Sequence, residues 1–431
     1  MKVIRHTDAN FSRKLRKATA SSSLFDAEIE KRTRAIVDAV QTRGDDALLE
    51  FTEKFDGAKL SPGQLAVTQA ELMVASLKAD ESLRAAVAEA EKNIASFARK
   101  SLLHNWECRN SHGARVGEKF DPFQRVGAYI PGGKAPLVST VLMTVTLAKV
   151  AGCKEIVVCT PCGRDGSINP ALLFAARAAG ATEIYRVGGA QAIAAMAFGT
   201  NTIRRVQKIF GPGNAYVVTA KRLLVGHVAI DLLPGPSELL VLADETANPK
   251  FAAADLLAQA EHGSGHERVW LATTSAKILK AIQGEIAKQL PKLARREYIR
   301  RVLADNTWLI QVKSLDDGVA LANQLAPEHC EVMTRNPRQV SEGILTAGAI
   351  FLGPWTPTVL GDYVAGPSHT LPTGGAGASF AGLTVDHFQR RTSVVEYNRA
   401  ALKKALSAVK KFAELEGLGA HGRSAEIRSA K

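Results

Sequence analysis

The sequence predicts an α/β protein made of two parallel-sheet units with helical segments at both ends, and three observations predict it. From Arg125 onward, short apolar strands alternate with helices; the alternation resumes after Ser237; and the first hundred residues carry apolar positions at helical spacing. Strands joined by helices form a parallel sheet covered on both faces, so each strand reads as an apolar run.

In chain order, residues 1 to about 100 read as helical, with Asp26 to Glu53 and Gln69 to Lys100 the strongest stretches. Strand RVGAYIP then runs into a Gly-Gly turn and a helix over 136–151. Strand EIVVCTP leads to helix NPALLFAARAAGA, EIYRVGG to AQAIAAMAFGT, and VQKIFGPGN to AYVVTAKRLLVG, with VAIDLL closing the series. After Ser237, strand ELLVLAD precedes a helix starting near Pro249. Strand ERVWLATT, helix 275–290, strand TWLIQV, helix DDGVALANQLA and strands CEVMTRN and GAIFLGPW follow. The tail from Val385 reads as helical and charged. The predicted organisation is an N-terminal helical arm over 1–24, a first α/β unit combining 25–128 with 238–380, a second over 129–237, and a helical tail over 381–431.

At 431 residues with 46% hydrophobic and 23% charged residues, the chain has the size and composition of a soluble protein of more than one domain. Its N-terminus, MKVIRHTDANFSRKL, lacks the apolar core of a secretion signal. Its most apolar run, Val138 to Val150, is interrupted by three Thr and Lys149 and falls short of the ~18 residues of a membrane span. Neither membrane nor export is expected. The net charge of +13 raises the question of nucleic acid, but Lys and Arg are scattered and aromatics make up only 6%. No nucleic-acid partner is expected, and a basic surface suits an anionic cofactor better. Five cysteines, an odd number, point to a reducing cytoplasm. Cys159 and Cys162 lack the context of a zinc or redox motif and read as an incidental pair.

Several groups could carry chemistry. Gln259, Glu261 and His262 end the helix that begins near Pro249, beside the Pro-Gly-Pro-Ser turn bearing Ser237. At a spacing of three, Gln259 and His262 would share a helix face. The stretch reads either as a ligand site or as a capped helix end with an exposed His. His266 is separated from His262 by two Gly and reads as exposed. Glu328-His329 sets a carboxylate beside an imidazole, a pairing used in acid/base chemistry and also common by chance. Asp362, Tyr363 and His369 lie in a long Gly-rich loop, GDYVAGPSHTLPTGGAG, whose two Pro suggest a shaped segment. Gly-rich turns at Pro131–Gly133, Gly188–Gly189, Gly211–Asn214 and Pro234–Ser237 would let backbone approach a ligand. A GxGxxG string occurs only at 417–422, after a helix rather than a strand, so no standard dinucleotide fingerprint is present.

Together the segments YIPGGKAP, STVLM…AKVAG, EIYRVGGAQAIAAMAFGT, KIFGPGNAYV, GPSELLVLADE, DLLAQAEHG, LAPEH, GDYVAGPSHTLPT, FQRRTSVVEY and EGLGAH resemble, in order, the histidinol dehydrogenase family over roughly residues 120 to 425. The resemblance implies two Rossmann-like domains, a homodimer, and oxidation of L-histidinol to L-histidine through the aldehyde with NAD. It implies one zinc ion per subunit, held by Gln259, His262, Asp362 and His421. It implies Glu328 and His329 as acid/base residues and Tyr129, Gln191 and Asn214 as NAD contacts. Ser237, His369 and Glu416 fall at substrate positions, which the metal ligands and His329 share. The C-terminal tail of one subunit would complete its partner's site. Pro234, Ser368 and Leu137-Val138 depart from the family pattern at the cofactor and substrate rims. The competing reading is a zinc- and NAD-dependent dehydrogenase of another polar alcohol, such as a sulfonated diol, on the same scaffold.

Overall fold

The computed structural model describes residues 1–20, 26–132 and 136–429. Gly133 of the predicted Gly-Gly turn, and the end of the predicted N-terminal arm, lie outside the described residues. The chain is α/β with parallel sheets.

One sheet has five parallel strands, in the order Glu183–Arg186, Glu155–Thr160, Arg125–Tyr129, Lys208–Phe210 and Ala229–Ile230. Strand Arg125–Tyr129 is buried along its whole length, as a central parallel strand must be. One face is covered by helices Val138–Ala151 and Pro170–Ala179, joined by Gln69–Lys78 and Glu81–Lys100. The other is covered by Gly189–Phe198 and Ala215–Leu223, joined by Ala27–Arg43 and Asp45–Asp56. This corrects the expected partition. The four helices between Ala27 and Lys100 share cores with the 125–230 sheet, whereas helix Phe11–Ala18 packs with the strands after 237. The apolar stripes of the four pack against the crossover helices of that sheet and form an outer layer over them. The predicted stretch Asp26 to Glu53 is two helices broken at Gly44, whose φ of 54° no β-carbon favours.

The second sheet has six parallel strands, in the order Lys2–Arg5, Thr307–Gln311, Arg268–Thr273, Glu238–Ala243, His329–Met333 and Ala349–Leu352. Lys2–Arg5 was expected to be helical and instead adds an edge strand beside Thr307–Gln311. The basic stretch LARREYIRR forms helix Arg296–Asp305, which buries Ile299, Val302 and Leu303 against this sheet. The tail also differs from expectation. Gln389–Glu396 is a strand, antiparallel to Arg115–Pro122, which in turn pairs with Trp106–Arg109. Helices Arg399–Leu415 and Gly419–Glu426 follow.

A buried ion pair shapes the turn after strand Lys208–Phe210. Lys221 and Asp231 are bonded with both side chains at 0% exposure. Lys221 Nζ also donates to the Gly211 carbonyl (2.9 Å), and the Gly211 N–H donates to Asp231 (2.7 Å). Gly211 has φ 108°, and a β-carbon there would sit 2.1 Å from the Tyr129 carbonyl oxygen, so this position admits only Gly. Lys221→Met leaves Asp231 buried without its cation. We expect a loss of about 3–5 kcal/mol in urea unfolding. A loss below about 1 kcal/mol would show that the pair does not hold the turn.

Candidate active site

The acid/base candidates lie where two neighbouring strands begin. Ser237 and Glu328 immediately precede strands Glu238–Ala243 and His329–Met333, whose register pairs His329 with Leu239. The Ser237 hydroxyl and the Glu238 N–H (2.8 Å) both donate to Glu328 Oε2. Burial nevertheless dominates and pushes the Glu328 pKa up to about 7, against these two donors. His329 is 3% exposed, and its Nδ1 lies 3.0 Å from the Glu238 carbonyl oxygen. A carbonyl can only accept, so Nδ1 carries the proton and Nε2 keeps its lone pair, 3.8 Å from Asp362 Oδ1. Burial also lowers the His329 pKa, favouring the neutral ring.

Asp362 lies in the short helix Val359–Tyr363, which with Ala376–Ala378 gives structure to a segment expected to be a loop. Its carbonyl accepts from His369 Nδ1 (2.9 Å), leaving His369 Nε2 facing the Thr140 hydroxyl at 3.1 Å. Burial lowers the His369 pKa as well. The Thr140 bond matters for architecture. Thr140 lies in the first turn of helix Val138–Ala151, at the carboxyl end of strand Arg125–Tyr129. The carboxyl edge of one sheet therefore meets the amino edge of the other at this cluster. Only the first of these is where ligands of open α/β sheets are usually sought.

Gln259 and His262 do not share a helix face as expected. Helix Pro249–Ala260 ends earlier, Gln259 is buried at 2% exposure, and His262 follows in an exposed turn. The turn brings His262 Nδ1 to 3.2 Å from the Gln259 carbonyl. That contact leaves Nε2 free, the arrangement that metal-ligating imidazoles adopt. The charge of His262 acts on both Glu328 and His369, so it belongs to the same cluster. Gln259 Nε2 is buried without a partner. The unmet Nε2 is a hydrogen-bond donor and does not itself call for a cation, but the Gln259 amide oxygen, the His262 imidazole and the Asp362 carboxylate, with no thiolate, would suit a borderline cation such as zinc. Among the described residues, however, no three His, Cys, Asp or Glu gather as a ligand set in one chain. The donors fit a metal but do not complete its shell. His266 is exposed, as expected.

His421 and Glu416 are exposed in the tail, with Glu416 capping helix Arg399–Leu415, and neither has a described side-chain bond to the cluster. The three expected cofactor residues ring the carboxyl edge of the five-stranded sheet. Tyr129 ends its central strand, and its hydroxyl accepts from the Gly189 N–H at 3.1 Å. Burial raises its pKa to about 12, so it stays a phenol. Gln191, in the first turn of the next helix, is 1% exposed with Oε1 unpartnered. Asn214 caps helix Ala215–Leu223 through the Tyr216 and Val217 N–H groups, which by itself explains its oxygen. Sequence reading passed over Thr140 and Glu238. Both lie inside motif segments, but their roles depend on a hydroxyl and a carbonyl that no pattern singles out.

A family model described as histidinol dehydrogenase matches residues 19–429. The histidinol dehydrogenase of Heliobacterium mobile is 44% identical over 409 residues, covering 95% of this chain and 96% of its own. That of Geobacillus kaustophilus is 45% identical over 405 residues, covering 93% and 95%. The crystal structure of histidinol dehydrogenase from Elizabethkingia anophelis superposes with a TM-score of 0.94 at 35% identity, covering 99% of this chain and 98% of that one.

Proposed function

Because this chain belongs to the histidinol dehydrogenase family, we propose that the cluster around Glu328 and His329 is where it oxidises L-histidinol, in two successive steps, to L-histidine. The enzyme is an oxidoreductase of histidine biosynthesis. The observation that carries the site is the pairing at the amino ends of two adjacent strands. One partner is a buried carboxyl with a pKa of about 7, and the other is an imidazole whose free Nε2 is fixed by a carbonyl behind it.

The division of labour follows from these protonation states. His329 Nε2 is unprotonated at neutral pH and takes the alcohol proton in the first oxidation. Glu328 is half-ionised near pH 7 and draws a proton from the water that adds to the aldehyde, with Ser237 holding the carboxylate in place. His369, held through Nδ1 by the Asp362 carbonyl, would meet a polar group of the substrate with Nε2 in place of its Thr140 partner. NAD accepts a hydride in each oxidation, and Tyr129, Gln191 and Asn214 would line its site, a reading supported by the unmet polar demand of Gln191. Gln259, His262 and Asp362, with His421 from a second copy, would hold a zinc ion, whose chemistry is to fix the substrate amine and imidazole and to polarise the reacting oxygen. The homodimer belongs to the same reading. It is supported by Phe412, Leu415, Leu418 and Ile427, apolar tail residues left 40–69% exposed in the single chain. The Rossmann-like character of the two sheets and a cytoplasmic setting complete it, the latter supported by five free thiols.

The test is the NADH yield per L-histidinol consumed, with zinc supplied and after chelation. Oxidation of an alcohol to an acid releases two hydrides, so two NADH are expected, lost on chelation and restored by zinc. A yield of one would leave an enzyme that stops at the aldehyde and would remove the role given to Glu328. No turnover of histidinol would move the substrate to another polar alcohol.

A further inference from the structure

Directly behind the cluster lie two carboxyl groups that the reaction does not use. Glu331 stands two residues beyond His329 in strand His329–Met333, so both point to the same sheet face. The register sets Glu331 opposite Val241, in a layer otherwise made of Leu239, Val241, Val269, Leu271 and Met333. Asp255 reaches that layer from helix Pro249–Ala260, one turn before Gln259. The two carboxyls lie within hydrogen-bonding reach of each other, with Glu331 at 0% exposure and Asp255 at 7%.

Neither Glu331 oxygen meets a hydrogen-bond donor among the described residues, as is expected of a carboxyl facing another carboxyl. A bond between two carboxyls therefore needs a proton held by the pair itself. Burial raises the pKa of both groups, and the neighbouring Asp255 charge raises Glu331 further, so Glu331 is the protonated donor. Such a pair is a poor way to fill an apolar layer, because buried polar groups cost stability that leucine would not. What it supplies is direction. The helix otherwise meets the sheet through Ala252, Ala253, Leu256 and Ala260, a smooth surface with little to fix its position along the strand. The helix ends in Gln259 and His262; the strand begins after Glu328 with His329.

We propose that the carboxylic acid–carboxylate bond between Glu331 and Asp255 is a positioning device that locks the helix carrying Gln259 and His262 in register with the strand carrying His329. The proposal rests on the site assignment given above. An error of about 1 Å between such groups costs on the order of a hundredfold in rate, and loss of outlying support typically costs 10–100-fold in metal affinity.

The experiment compares Glu331→Gln, Glu331→Leu and Asp255→Leu in the full-length protein. It measures the melting midpoint, the affinity for zinc alone by chelator competition, and kcat and KM for histidinol. Glu331→Gln keeps a neutral donor and is expected to hold zinc affinity and kcat within about threefold of the parent. The leucine variants are expected to melt no lower than the parent, yet to lose about tenfold or more in zinc affinity and in kcat. Leucine variants with parental zinc affinity and kcat would overturn the proposal. So would a folded Glu331→Gln that loses both, which keeps the proposal falsifiable if the leucine variants do not fold. If parental zinc affinity is insensitive to His262→Ala, the metal assignment fails instead, and kcat for histidinol still decides the positioning role.

Discussion

Glu328→Gln is expected to slow oxidation of L-histidinaldehyde by about a thousandfold while slowing oxidation of L-histidinol far less. The carboxyl is needed as a base only where water must be added, and Gln keeps the size and accepts the same bonds from Ser237 and the Glu238 N–H without being able to take a proton. The pH dependence gives a second reading of the same group. Glu328 titrates near 7 because burial outweighs its two donors. A base works only when ionised, so kcat/KM for the aldehyde should rise with pH through about 7 and then level off. In Glu328→Gln that rise should vanish. Single-turnover rates with each substrate, across pH 5.5 to 9, separate the steps. Equal losses in both would remove the division of labour, and a rise near pH 7 surviving in the variant would assign it to another group.

The elements of the fold were legible because each strand is a buried apolar run and each helix has its own stripe, both local properties of the chain. Their grouping was not. Whether Ile36, Leu48, Leu72 and Ile94 join the 125–230 unit or the strands after 237 depends on which crossover helices present an apolar outer face, and that is a property of the assembled units. Strand Gln389–Glu396 escaped for the opposite reason. It is exposed almost throughout, so RRTS offers no apolar alternation to read. Glu328-His329 was visible as adjacent letters, but the protonation states of the two groups come from neighbours distant in sequence. The Glu238 carbonyl selects the His329 tautomer across 91 residues, and Thr140 reaches His369 across 229. Pairing Gln259 with His262 by helical spacing relied on a helix that stops at Ala260; the turn beyond it brings His262 Nδ1 to the Gln259 carbonyl instead.

The tail poses the remaining question, because the family resemblance implies His421 as a ligand, yet within one chain it is exposed and joins no ligand group among the described residues. If a second copy supplies it, two inactive variants must be able to repair one another. His262→Ala spoils the site of its own chain, and His421→Ala spoils the site of its partner. In a dimer formed from one of each, one site carries both lesions and the other carries neither. Random pairing makes about half of the dimers mixed, each with one intact site, so about a quarter of parental activity should return from two preparations that are each nearly inactive. Co-expression of differently tagged chains, followed by isolation of the mixed dimer, sharpens the expectation to about half the parental kcat per dimer, with zinc bound at one site. Were the tail to fold back onto its own chain, the mixed dimer would hold two damaged sites and stay inactive. The outcome separates the arrangements because the two lesions are complementary only when the site is shared. The exposed Phe412, Leu415 and Leu418 flanking the tail ligands then have their natural explanation as the surface that docks on the other subunit.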